Sequence, residues 1–145
     1  METADVGRVT CKVRVENIDD QLRAGRGEIP ATAVRTLVIE DALVDTGAST
    51  LALPKAMLRQ LGLDVPSTTK RSRNTTGEYV AKLYGPLRLW IEDRDMTLDA
   101  LEVEDGCPAL IGQIPLEHMQ MVVDMANHGV TKSPANGGEW VLDMF

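Results

Sequence analysis

Ala42-Leu43-Val44-Asp45-Thr46-Gly47-Ala48-Ser49-Thr50 carries an apolar strand straight into an acid, a hydroxyl and a glycine. A carboxylate at the end of a buried strand costs free energy unless a donor meets it. Gly47 has no Cβ, so the backbone can turn tightly and bring amide N–H groups towards Asp45. Thr46 adds a hydroxyl able to tie the loop to a neighbour. Asp, Thr and Gly are also common turn formers, so the triplet alone leaves two readings open: a strand-to-turn boundary, or a presented acid.

The flanks of this stretch are rich in strand signals. Val9 to Glu16 alternates strictly, placing Val9, Cys11, Val13 and Val15 on one face. Val34–Ile39 and Ala42–Val44 read as two short strands parted by Glu40-Asp41. Pro54 opens a helix of about two turns that buries Leu58 and Leu61 and stops at Gly62. Lys70 to Tyr84 forms an exposed polar hairpin around Asn74-Thr75-Thr76-Gly77. Leu87–Ile91 and Met96–Val103 form a second hairpin around Asp93-Arg94-Asp95. Ala109-Leu110-Ile111 is a short apolar run ending at Gly112. Pro115–Met119 suits a helical turn, and Met121–Met125 with Val130 flank an Asn127-His128-Gly129 turn. Gly25, Gly27 and scattered charge make residues 19–30 a loop insert. Many short strands with one or two short helices predict an all-β fold with a closed, barrel-like sheet.

Downstream spacing adds to the Asp45 segment. Asp45-Thr46-Gly47-Ala48-Ser49 after an apolar strand resembles the active-site loop of aspartic peptidases, specifically the single-motif retropepsin-like group. Leu110-Ile111-Gly112 resembles that family's second signature, followed by Gln113–Glu117 as its short helix and Met121–Asp124 as the strand after it. The 70–84 hairpin falls where the family has its flap. The resemblance covers roughly 34–130 and implies the acid-protease barrel, a single domain over 1–145, and a 131–145 extension. It departs at the flap tip, Arg73-Asn74-Thr75-Thr76-Gly77-Glu78, which is polar where retroviral flaps are apolar and glycine-rich.

The resemblance implies a mechanism. One chain offers one Asp-Thr-Gly, so two copies must meet for their Asp45 side chains to share a site. Like charges that close cannot both ionise cheaply, and the pair holds one proton between them. One carboxylate activates water while its protonated twin hydrogen-bonds the scissile carbonyl, and the roles then reverse. On this basis the catalytic set is Asp45, Thr46 and Gly47. Ala48, Thr75, Thr76, Gly77 and Glu78 would contact substrate, and Leu110, Ile111 and Gly112 would support the loop. Pepsin-like relatives commonly have Ser where this chain has Ala48, so a mildly acidic optimum is expected. The expected partners are a second copy, with the interface on a C-terminal strand at Trp140–Leu142, and an extended peptide. No cofactor is called for. The alternative is a weakly active or inactive retropepsin-fold module for peptide binding or dimerisation. An acidic barrel with a chance motif requires two coincidences.

Composition narrows the field. At 145 residues a chain can bury a core without metal or disulfides. Acidic residues outnumber Lys plus Arg by 22 to 15, and the net charge of −7 repels phosphate backbones, arguing against nucleic acid. No apolar run approaches the roughly 18 residues of a membrane span, and Met1–Thr10 has no leader-like apolar segment. Cys11 and Cys107 lie outside any CxxC pair and read as reduced thiols, so a cytoplasmic setting is expected. His118 and His128 lie in no ligand spacing, so no metal site is expected. Cys107 sits in an acidic turn that disfavours a reactive thiolate. Lys70, Arg71 and Arg73 read as a solvated hairpin surface. Arg23 and Arg26 read as part of a solvated loop.

Overall fold

The computed structural model describes residues 8–142. The strands are β1 (Thr10–Asn17), β2 (Thr36–Val44), β3 (Leu51–Pro54), β4 (Thr68–Asn74), β5 (Gly77–Ile91), β6 (Arg94–Val103), β7 (Leu110–Ile111), β8 (Met121–Asp124) and β9 (Gly129–Lys132). Three short helices interrupt them: α1 (Ile18–Gly25), α2 (Lys55–Gln60) and α3 (Gln113–His118). The strand order is β1-β2-β7-β3-β6-β5-β4, and β1 also pairs with β5. That extra pairing closes six strands into a barrel, with β4 attached outside the ring through β5. β8 and β9 form a separate two-stranded sheet. This is the mostly-β closed barrel with few short helices that the sequence led us to expect.

The core is aliphatic. Val13, Val15, Leu51, Leu53, Leu87, Leu89, Ile91 and Ile111 are fully buried inside the ring, and Leu58, Leu61, Leu116 and Met119 bring the helices onto it. The alternation in β1 works as read, with Cys11, Val13 and Val15 inward and Lys12 and Arg14 outward. Pro54 caps α2, and Gly62 follows it with a φ of +75°, the left-handed turn at which a helix ends on glycine.

Several expectations need correction. The two strands around Glu40-Asp41 are one strand, β2. Cys11 pairs with Ala42 and Val13 with Ile39, so β2 carries an extra residue opposite Lys12. A bulge of that kind lets a strand continue through two charged residues. The second hairpin turns at Glu92-Asp93, because Ile91 pairs with Arg94 and places that arginine inside β6. The 19–30 segment is not simply a loop. Ile18–Gly25 is helical, with the Asn17 side chain accepting from the Asp20 amide and two acids in the first turn. The barrel also begins before residue 34, since β1 closes it. Trp140-Val141-Leu142 forms no strand. Trp140 instead packs edge-on to His118 and donates its indole N–H to the His118 carbonyl at 3.0 Å. Residues 143–145 of the expected extension, and residues 1–7 of the Met1–Thr10 stretch read above, lie outside the described residues.

Candidate active site

β2 and β7 run parallel, with Leu43 opposite Leu110 and Val44 opposite Ile111. Main-chain bonds carry this pairing past the end of β2. The Leu43 amide donates to the Ala109 carbonyl at 2.8 Å, and the Asp45 amide donates to the Ile111 carbonyl at 3.0 Å. Asp45 is therefore delivered by a rigid pair of strands to the point where the chain turns. The Ala48 amide donates back to the Asp45 carbonyl at 3.0 Å, closing the turn. The Gly47 amide donates to Asp45 Oδ1 at 2.9 Å. A Cβ on Gly47 would lie 3.2 Å from that oxygen, so glycine is what lets the amide approach.

The far side of the loop rests on the Leu110-Ile111-Gly112 segment and the residues that follow it. Gly112 donates to the Thr50 carbonyl, Gln113 to that of Ala48 and Ile114 to that of Ser49, each at 2.9 Å. The start of α3 thus holds the 48–50 backbone from beneath, while the Leu51–Ile111 pair locks β3 to β7. The sequence-selected residues Asp45, Thr46, Gly47, Ala48, Leu110, Ile111 and Gly112 meet in one place. Asp45, Thr46 and Gly47 are solvent-exposed, and Ala48 and Leu110 are half-buried.

The hairpin residues are placed elsewhere. Asn74 pairs with Gly77, leaving Thr75-Thr76 as a two-residue turn, and Thr75, Thr76, Gly77 and Glu78 are all exposed. Glu78 pairs with Arg71 at 2.9 Å and Arg73 at 3.3 Å, across and along the hairpin. Those bonds stiffen the tip and neutralise part of the basic patch seen in the sequence. The tip residues do not line the concavity at Asp45.

That concavity, of about 400 Å³, is lined by Val9, Val44, Asp45, Thr46, Val123 and Met125. The sequence marked Val9, Val123 and Met125 only as strand residues and not as part of the site, because tertiary pairing alone brings them here. The Val9 carbonyl accepts the Val44 amide at 2.9 Å, and the Thr10 amide donates to the His128 carbonyl at 3.2 Å. His128 Nδ1 lies 3.1 Å from the Arg8 carbonyl. The β8–β9 turn is thereby clipped to the entry of β1, which sets Met125 beside Asp45. Asn127 braces the turn by donating to Asp124 through its side chain at 2.8 Å and its amide at 3.2 Å. These two bonds, the side-chain one first, hold the Asp124 carboxyl below the usual carboxylate range.

The two thiols stand in different surroundings. Cys11 is buried, which with the charge of Glu92 pushes its thiol up to about 11, and Cys107 is exposed. Arg26 pairs with Glu28. Among the described residues no helix is long and apolar enough to cross a membrane.

No family model matches the chain, and no curated protein matches it. Among solved structures it is similar to the protease of simian foamy virus (mac), determined in solution. The two are 22% identical, the match spans 53% of this chain and 79% of that one, and the TM-score is 0.42.

Proposed function

We propose that this chain is an aspartic endopeptidase that becomes active as a homodimer. The observation that carries the proposal is the Asp45 loop itself: an exposed carboxylate fixed by its own Gly47 amide, on a turn gripped by both β7 and the start of α3. A carboxylate that accepts the amide two residues on is common in turns; what sets this one apart is that β7 and the start of α3 both grip the turn while Asp45 stays exposed. Apolar Val9, Val44, Val123 and Met125 surround that acid, giving a second copy a surface to cover.

In the dimer the two Asp45 carboxyls share one proton. The ionised carboxylate takes a proton from water as the water oxygen attacks the scissile carbonyl carbon. The protonated carboxyl stabilises the developing oxyanion. Collapse of the tetrahedral adduct breaks the C–N bond, and the amine leaves with a proton from the dyad. Thr46 of each copy braces the opposite loop. An extended peptide lies across the pair, and the Thr75–Glu78 tip of the β4–β5 hairpin, which stands clear of the Asp45 concavity in the single chain, would meet it only from the opposite side.

The second reading, a peptide-binding or dimerisation module with little turnover, is favoured by the polar, ion-paired hairpin tip. One experiment separates the two. The wild type and Asp45→Asn are incubated with a denatured protein from about pH 4 to 7. Cleavage that vanishes in Asp45→Asn, with dimerisation retained, supports the enzyme. Peptide binding without cleavage by the wild type supports the module.

A further inference from the structure

Arg94 is 3% exposed, and its guanidinium is committed to main-chain oxygens rather than to a carboxylate. Nη1 donates to the carbonyls of Met119 and Gln120 at 2.9 Å each, and Nη2 donates to that of Gly138 at 2.6 Å. Nη1 also lies 4.0 Å from the Met121 sulfur. The first two acceptors stand at the C-terminal end of α3, where carbonyls lose their intrahelical partners. Gln120, with a φ of +52°, is the corner at which the chain leaves α3 and enters β8. Non-glycine residues seldom hold that conformation without support.

This corner is joined to both halves of the candidate site. Upstream, α3 begins with the Gly112, Gln113 and Ile114 amides that hold the 48–50 backbone. Downstream, β8 leads directly to Val123 and Met125 beside Asp45. The third bond pulls in the tail, which Gln120 and His118 also hold: the Val141 amide donates to Gln120 Oε1 at 3.3 Å, and Trp140 donates to the His118 carbonyl. A planar fork serves three acceptors on two separate segments. An ammonium on a flexible stem cannot span them in the same way.

We infer that Arg94 is a positioning residue for the Asp45 face: by fixing the α3–β8 corner, it sets the loop support on one side and the β8–β9 hairpin on the other. Its catalytic consequence rests on the proposed dimeric peptidase, whereas the positional claim stands on the monomer's own bonds.

The test uses the full chain with Arg94→Lys and Arg94→Ala, followed by residue-resolved amide hydrogen exchange. Protection of Gly112, Gln113, Ile114 and the β8–β9 amides should fall by about tenfold or more, with the β4–β5 hairpin and α1 unchanged. Added guanidinium ion should restore part of the protection in Arg94→Ala. If the wild type cleaves peptide, each variant should lose cleavage at low enzyme concentration and regain it as concentration rises. Uniformly faster exchange over the whole barrel, or unchanged exchange at 112–114, overturns the inference. Unfolding of both variants overturns it as well, because a group that positions one corner must leave the barrel standing. A wild type that neither dimerises nor cleaves refutes the peptidase and leaves the exchange result to judge Arg94.

Discussion

Gly112 and Thr50 stand so close that a Cβ on the glycine would fall 2.6 Å from both the Thr50 amide nitrogen and its carbonyl oxygen. The obstructing atoms are backbone, so no rotamer change relieves the contact. Gly112→Ala must push α3 away from the 48–50 segment and break the bond from the Gly112 amide to the Thr50 carbonyl. We expect a loss of roughly 1–3 kcal/mol of stability, the usual penalty for overpacking. On the proposed mechanism, peptide cleavage should fall further than stability explains, because the 48–50 segment directly follows the turn that presents Asp45. Urea melts beside steady-state kinetics check this, and a variant with wild-type turnover would refute it.

Ala48 gives the second expectation. On the proposed mechanism, a hydroxyl at position 48, next to the Gly47 whose amide meets Asp45, would offer a further donor to the charged member of the pair. The wild type should therefore be most active in mildly acidic solution, and Ala48→Ser should extend the acidic limb of its profile to lower pH. Rate profiles of the two proteins on one peptide decide the matter. Superimposable acidic limbs would contradict the argument.

What could be read in advance was whatever is encoded locally. The period-two alternation of Val9 to Val15 gave β1, and the Asp45 and Gly112 segments gave the two halves of the braced turn. The helix at Ile18–Gly25 had its own local signs in Asn17, Asp19 and Asp20, but flanking glycines masked them. Its anchor is Arg35, fifteen positions beyond Asp20, outside any short window. Arg94 looked like a turn residue between two aspartates, since the three carbonyls that bury it come from distant segments. Val9, Val123 and Met125 reach the candidate site only once the β8–β9 turn is clipped to β1.

Asp20 is 2% exposed and receives the Arg35 side chain at 2.7 and 2.9 Å and the Arg35 amide at 3.0 Å. Those bonds, led by the guanidinium, lower its carboxyl from 3.8 to about 2. A depressed folded-state value means stability that is fully present above the unfolded value of 3.8 and is lost as pH falls through about 2. Asp20→Asn should cost roughly 1.5–3 kcal/mol at neutral pH, and its stability should fall less steeply than that of the wild type between about pH 4 and 2. Denaturant melts across that range provide the check. Parallel curves would show that the pair contributes nothing to the acid limb.

Gly62 sits under the same arginine, and a Cβ there would lie 1.9 Å from Arg35 Nη1. With its φ of +75° the position resists substitution on two counts, backbone strain and displacement of the guanidinium. Gly62→Ala should lose roughly 1–3 kcal/mol. Part of that loss should disappear in an Asp20→Asn background, where the arginine has less to hold it in place. A double-mutant cycle measures this, and strict additivity would separate the two sites.

Val122 of β8 is 40% exposed and Met125, in the turn between β8 and β9, is 58% exposed, in a two-stranded sheet that no other described strand joins. Apolar side chains in such a position are costly to leave in water and useful only if something covers them. Because Met125 lines the concavity at Asp45, it lies on the face that the proposed second copy would cover. If the proposed homodimer forms on this face, Met125→Glu should raise its dissociation constant by about tenfold or more, through the burial of one unpaired charge per copy. Monomer stability should be nearly unchanged, as expected for a substitution at an exposed site. Sedimentation equilibrium gives the first quantity and denaturant melts at low concentration the second. Cleavage should fall with dimer population and recover at high protein concentration. An unaltered association constant would mean that the copies meet on some other face, and the Asp45 pair would then have to form without β8.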